Sequence, residues 1–187
     1  MRKLILGEWL SLDGFASDIY GSTKFFEDPK FGSGSDEEML DFMESIDTIL
    51  LGRKTYEMFV EYWPQEASEG EIMADRLNAT PKVVVSSTIK KAPWGNWPDA
   101  LVLSGDPVEE IAKLKSQQGK DIVVWGSLSL ARTLIRSGLV DEYQIRVVPV
   151  ILGRGIPLFE KSDPIALKLV KTQSYKSGIA YLRYVPA

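Results

Sequence analysis

The 187-residue chain contains no cysteine and no histidine. Without thiols there are no disulfides, no thiolate metal sites and no cysteine nucleophile. Without imidazole there is no Ser-His-Asp triad, no zinc site of the usual nitrogen and sulfur type, and no histidine proton shuttle. Acid-base work falls to Asp, Glu, Lys, Tyr or water. Long apolar runs are missing too. The N-terminal segment from Lys3 to Trp9 is too short for a signal sequence and is interrupted by Glu8, and nothing downstream approaches membrane-spanning length. The expectation is a cytoplasmic protein with no membrane partner. A basic excess is also lacking, with 22 Lys and Arg against 26 Asp and Glu and a net charge of −4. A nucleic-acid surface usually needs a basic face, so no nucleic-acid partner is expected.

What is present suits one globular domain over residues 1–187. The chain is 44% hydrophobic and 26% charged, which does not indicate disorder. Residues 3–10 read as a buried strand ended by the turn formers Asp13 and Gly14. A long irregular stretch, roughly 15–34, has the length of a functional loop. Ser35 to Glu38 has a capping-box pattern that opens a helix carrying Met39, Leu40, Phe42, Met43 and Ile46. Further on, a weak helix is expected near 69–79 and strands at 82–86 and 100–103. Asp106-Pro107 starts a helix, 121–125 is a strand, and 127–137 is a helix ended by Gly138. A long strand over 141–151 follows, and 167–174 with 179–185 form a terminal hairpin.

Two segments run from an apolar strand through glycine into a helix start: Thr48-Ile49-Leu50-Leu51-Gly52-Arg53-Lys54-Thr55, and Ile122-Val123-Val124-Trp125-Gly126-Ser127-Leu128-Ser129. A helix N-terminus presents unpaired N–H groups and the positive end of a dipole, and glycine lets an anion approach the backbone. Arg53, Lys54 and Thr55 add two cations and a hydroxyl. The same segments also fit two ordinary turns of an α/β fold. Alternating strands and helices imply a mostly parallel sheet covered on both faces, with an antiparallel hairpin at its C-terminal end. Ligands of such sheets bind at the carboxyl ends of the strands. The polar clusters after Leu51, Val85 and Trp125 all belong to those ends. The aromatics Trp9, Phe15, Tyr20, Phe25 and Phe26 could line a pocket for a planar substrate, or could be core.

Taken in order, Ser11-Leu12-Asp13-Gly14, Leu51-Gly52-Arg53-Lys54-Thr55-Tyr56-Glu57, Tyr62-Trp63-Pro64, Val84-Val85-Ser86-Ser87-Thr88, Gly126-Ser127-Leu128 and Ser137 to Gly155 resemble the dihydrofolate reductase superfamily. The resemblance is closer to the branch holding the reductase domain of the bifunctional riboflavin-biosynthesis deaminase-reductase and its small stand-alone relatives. It implies an α/β three-layer αβα sandwich and a cofactor, NADPH. By resemblance Gly52, Arg53, Lys54 and Thr55 meet the pyrophosphate and the 2′-phosphate side. Ser86, Ser87 and Thr88 hold the 2′-phosphate, and Gly126, Ser127, Leu128 and Ser129 form the second phosphate-binding helix start. Many relatives carry Gly-Gly where this chain has Gly126-Ser127. The resemblance points to Asp36 as the carboxylate that contacts substrate, with Asp13 as the alternative. It also implies a homodimer, for which the extended segment 141–159 looks suited.

The expected function is NADPH-dependent reduction of a small heterocyclic or carbonyl-containing metabolite, pterin-like or pyrimidine-like. The alternatives are reduction of a ribosylaminopyrimidine in riboflavin biosynthesis, and a nucleotide-binding sensor without catalysis.

Overall fold

The structure, a computed structural model, describes residues 1–28, 31, 36–160 and 163–187. Its strands are β1 (Leu4–Ser11), β2 (Phe15–Ser17), β3 (Ile46–Gly52), β4 (Lys82–Val85), β5 (Ala92–Trp94), β6 (Trp97–Leu103), β7 (Asp121–Trp125), β8 (Glu142–Val148), β9 (Ile156–Pro157), β10 (Leu167–Ser174) and β11 (Ala180–Pro186). The helices are α1 (Lys24–Glu27), α2 (Asp36–Ser45), α3 (Arg53–Val60), α4 (Ala74–Ala79), α5 (Pro107–Ser116) and α6 (Leu128–Arg136).

Nine strands form one sheet in the order β10-β11-β8-β1-β7-β3-β4-β6-β5. The pairs from β8 through β6 are parallel, while β5 at one edge and β11 and β10 at the other run antiparallel. β2 and β9 make a separate antiparallel pair. The parallel strands β1, β3 and β7 are nearly continuous apolar runs because both of their faces are covered. Leu4, Leu6, Ile122 and Val124 pack with Ile111 of α5 and Leu130, Leu134 and Ile135 of α6. On the opposite face Ile5, Ile49, Leu51 and Val123 pack with Met43 of α2, Tyr56 of α3 and Leu77 of α4. The expected αβα sandwich with a C-terminal hairpin is what the chain adopts.

The helix ends follow the sequence signals. Asp106 accepts from the N–H groups of Val108 (2.9 Å) and Glu109 (3.1 Å), and Pro107 opens α5. Gly138, at φ +70°, closes α6 with Gly138 N–H to Ile135 O and Leu139 N–H to Leu134 O, both 3.1 Å.

Four boundaries differ from expectation. β8 stops at Val148, because Pro149 has no N–H and the Val150 N–H turns back onto Val148 O at 2.8 Å. The helix expected near 69–79 is shortened to α4, with Gly70 at φ +93° breaking what precedes it. The strand expected at 100–103 is the longer β6, which forms a hairpin with β5 around Gly95 at φ +57°. The irregular stretch contains β2 and α1. Ser35, the expected cap of α2, lies outside the described residues.

Candidate functional site

Because β3, β4 and β7 are parallel, their carboxyl ends open on one edge of the sheet. Register does the rest. Gly52 pairs with Val85, so Ser86 stands beside the start of α3. Leu50 pairs with Val124, which sets Gly52 level with Gly126. All three clusters singled out in the sequence are therefore neighbours.

The two glycine turns are in direct contact. Ser127 Oγ accepts from the Gly52 N–H at 2.6 Å and pairs with Thr55 Oγ1 at 2.7 Å. Gly52 enters α3 in an extended conformation, φ −88° and ψ 169°. Gly126 and Ser127 both have φ +57°, a left-handed pair ahead of α6. Neither glycine has room for a side chain: a Cβ on Gly52 would stand 2.8 Å from Ser127 Oγ, and one on Gly126 would stand 2.9 Å from Thr55. The result is two helix N-termini bound side by side, their first N–H groups directed to the same edge.

Around this pair the candidates divide. Arg53 and Lys54 are exposed, with Arg53 paired to Glu57 of its own helix at 2.9 Å. Thr55 is buried against Gly126. Ser86 is buried and its Oγ accepts from the N–H groups of Thr88 (3.2 Å) and Ile89 (3.3 Å), so this hydroxyl shapes its own turn. Ser87 and Thr88 are exposed. Leu128 is half-buried at the start of α6 and Ser129 is exposed in its first turn.

The carboxylates are a sharper test. Asp13 accepts from Ser11 Oγ (2.7 Å) and from the N–H groups of Leu152 (3.1 Å) and Gly153 (2.8 Å), tying the end of β1 to the segment after β8. The Ser11 hydrogen bond, helped by the two N–H groups, holds its carboxyl below the usual range. That favours an ionised loop clamp over a proton donor. Asp36 begins α2, and its side chain lies outside the described residues. The carboxyl that sequence reasoning passed over is Glu8, treated there only as a break in an apolar run. It is 8% exposed on β1, and burial pushes its pKa up to about 8 against the opposing pull of the Trp9 and Gly126 N–H groups.

On the α2 side of the sheet lies a groove of about 350 Å³, lined by Ile5, Phe42, Glu38, Gln144, Arg146 and Tyr181 among others. β8 contributes a buried polar stripe, Glu142, Gln144 and Arg146. Arg183 and Gln144 donate to Glu142, each at 2.8 Å. The Arg146 guanidinium lies 4.9 Å from the Tyr181 ring and 5.6 Å from the Trp9 ring. Glu38 pairs with Lys171 at 2.6 Å and accepts from Tyr175 Oη. Burial raises the Glu38 pKa, but these two partners outweigh it and the net shift is downward. Of the five aromatics open to either a pocket or a core role, Trp9 stacks on Phe26 at 5.4 Å and Phe26 meets Phe25 at 5.0 Å. Phe15 instead packs on Gly155, and Tyr20 is 88% exposed. The polar stripe was available from the alternation Glu142-Tyr143-Gln144-Ile145-Arg146-Val147, a period-2 signal with its polar face turned inward.

Comparison with known proteins agrees with this architecture. The chain is 35% identical over 188 residues to the Bacillus subtilis (strain 168) protein YyaP, covering 98% of this chain and 94% of that protein. A Shewanella sp. PV-4 protein assigned to riboflavin biosynthesis superposes with a TM-score of 0.79 at 22% identity, over 100% of this chain and 99% of that one. Dihydrofolate reductase from Enterococcus faecalis, in complex with NADP(H), superposes with a TM-score of 0.62 at 16% identity, over 98% and 96% of the two chains. Residues 2–181 match the RibD C-terminal domain, and the protein belongs to that family, with the dihydrofolate reductase-like fold.

Proposed function

We propose that the protein is an NADPH-dependent reductase of a small, polar heterocyclic or carbonyl-containing metabolite, working in the cytoplasm. The observation that carries this reading is the convergence of three clusters on one sheet edge, with the Gly52 and Gly126 turns hydrogen-bonded to each other through Ser127. The residues present fit a dinucleotide phosphate. Two glycines let the turns close against each other through Ser127 and Thr55, which brings two helix N-termini side by side to supply N–H groups, and Arg53 and Lys54 supply charge. Exposed Ser87 and Thr88 offer hydroxyls beside α3 for a 2′-phosphate. Bound there, the cofactor would supply the hydride, which leaves orientation, exclusion of water and one proton to the protein.

The groove along β8 runs from Asp121 and Glu142, at the amino ends of β7 and β8, to Arg146 beside Trp9, and a hydrogen-bonding substrate would lie at this Arg146 end, nearer the glycine turns. Its lining includes Glu38, Gln144 and Arg146, which suits a ring bearing amino and carbonyl groups better than a hydrocarbon. That chemistry also fits a ribosylaminopyrimidine, and the family match supports it as the second reading. We assign the substrate-contacting carboxylate to Asp36 at the start of α2, so Asp36→Asn lowers turnover while leaving NADPH affinity nearly unchanged. We also propose a homodimer; β8 of the expected 141–159 segment is paired on both sides by β1 and β11 and offers no edge, so the support comes from the exposed apolar residues Leu167, Leu169 and Val170 on the edge strand β10.

The test is a titration of the protein with NADPH and NADH, followed by a screen of pterins, aminopyrimidines and flavins for loss of NADPH absorbance. Tight NADPH binding with no turnover on any acceptor would favour a sensor instead. No binding of either nucleotide would remove the proposal.

A further inference from the structure

Glu8 is a carboxyl placed where an apolar side chain would be expected. Its strand neighbours on the same face, Leu4, Leu6 and Leu10, all belong to the core beneath α5 and α6. Gly7 pairs with Trp125, so Glu8 is level with Gly126, the first left-handed residue ahead of α6. The Gly126 N–H faces its carboxyl. Glu8 Oε1 is buried and makes no hydrogen bond among the described residues. An unpartnered buried polar atom keeps its full desolvation penalty, so a carboxyl held this way under a helix N-terminus asks for a ligand or a proton.

The groups around it do not supply a counter-charge. On β8, Tyr143 shares the face, and its hydroxyl is neutral, its pKa pushed further up by burial. On α6, Arg132 is committed to Glu160 and to the carbonyls of Pro157 and Leu158. On α5, Lys115 stands at the far end of β1, beside Leu4, and is committed to Asp141 and Leu139 O, both at 2.6 Å. Across the turn, Arg53 and Lys54 are exposed on α3. A carboxylate here would lie next to any bound phosphate in a poorly solvated site, where like charges repel strongly.

We propose that Glu8 works as a neutral acid at the floor of the phosphate site, adding an O–H donor beside the α6 N-terminus, and that an anionic phosphate is held there only while Glu8 keeps its proton. Glu8 is thus a positioning residue that couples cofactor capture to proton uptake. The inference rests on the dinucleotide reading above and assigns a residue that reading does not need. Burial supports it independently, having moved the carboxyl to about 8. Below that pH the site is ready for an anion; above it, each binding event must first draw a proton from solution.

The experiment is calorimetric titration of the full chain with NADPH, and separately with inorganic pyrophosphate, from about pH 7 to about pH 9.5. Affinity is expected to fall by up to about tenfold between pH 7 and pH 9, with proton uptake seen as a dependence of the binding heat on the buffer. Glu8→Gln keeps the shape and a permanent N–H donor, and its affinity should be nearly flat over the same range. Stability in the absence of ligand gives a second readout. The native state keeps a proton that the unfolded chain releases, so wild-type stability declines as pH rises from the ordinary glutamate range, near 4.5, to about 8, and Glu8→Gln removes the decline. Lys82, lowered to about 7 by burial, contributes the opposite trend above pH 7, but it is common to both proteins and cancels. NADPH binding that is independent of pH in wild type, or equally dependent on pH in Glu8→Gln, overturns the role of Glu8 and leaves the reductase reading standing. Failure of both NADPH and pyrophosphate to bind at about pH 7 removes the two together. Proton uptake is measured on wild type, so the proposal stays testable if the variant does not fold.

Discussion

The two strand-glycine-helix units look alike in sequence and work differently in the fold. At β3 the chain passes through Gly52 with extended backbone, φ −88°, and α3 begins with two exposed cations. At β7 it passes through two consecutive left-handed residues, Gly126 and Ser127, and α6 begins with no charge in its first turn but with Glu8 buried below. The first unit supplies charge from an unstrained turn. The second supplies shape from a strained one. An anion site assembled from both has its electrostatics on one side and its conformational cost on the other, and substitutions should separate them.

The largest expected effect is that of Gly126→Ala. Left-handed backbone in a non-glycine residue costs about 1–2 kcal/mol, and the added methyl 2.9 Å from Thr55 forces repacking worth about 1–3 kcal/mol more. Urea unfolding should show a loss of about 2–5 kcal/mol together with lost nucleotide binding. Gly52→Ala needs no unusual backbone and meets only the Ser127 side chain, so its loss should be smaller by about 1 kcal/mol or more. Equal losses would end the distinction between the two turns.

Next in size is a pair of changes at Ser127. Ser127→Ala keeps the left-handed strain and deletes the oxygen that Gly52 N–H donates to, for an expected loss of about 1–3 kcal/mol. Ser127→Gly deletes the same oxygen but relieves about 1 kcal/mol of strain, so it should be the milder substitution in thermal and urea unfolding. The reverse order would mean that the backbone at Ser127 is not strained. The smallest effect on stability is that of Arg53→Ala, because an exposed i,i+4 pair with Glu57 contributes about 0.3–0.5 kcal/mol. Its effect belongs to binding: the preference for NADPH over NADH should narrow by about tenfold, measured by titration with both nucleotides.

This contrast was only half legible in the sequence. Leu51-Gly52-Arg53-Lys54 announces an apolar strand, a turn and cations in consecutive letters, and the parallel fold follows from alternating periodicities of that kind. Gly126 and Ser127 announce a turn too, but their contact with Gly52 and Thr55 is made across 72 to 75 positions of chain and depends on register. Glu8 was hidden for the same reason. One charged letter in an apolar strand means little until β1 is placed beside β7. The β5–β6 hairpin was missed because Pro93 and Pro98 argue against strands; Pro93 lies on the edge strand β5, and Pro98 lies near the start of β6, before its pairing with β4 begins at Leu101. Asp13 was legible as a polar residue at the end of a strand, but the N–H groups of Leu152 and Gly153 that its carboxyl binds lie 139 and 140 positions away and depend on how the segment after β8 is placed.

The bridge at Ser127 also has a direction. A backbone amide can only donate, so Gly52 makes Ser127 Oγ an acceptor on that side, and the serine's one proton is left for Thr55. Thr55 Oγ1, already accepting, must turn its own proton elsewhere. Gly52, Ser127 and Thr55 thereby form a directed chain of two hydrogen bonds across the seam between the turns. An anion bound as proposed would meet a hydroxyl already aimed by the chain, and the rotational freedom that a lone threonine would surrender on binding would have been spent at folding.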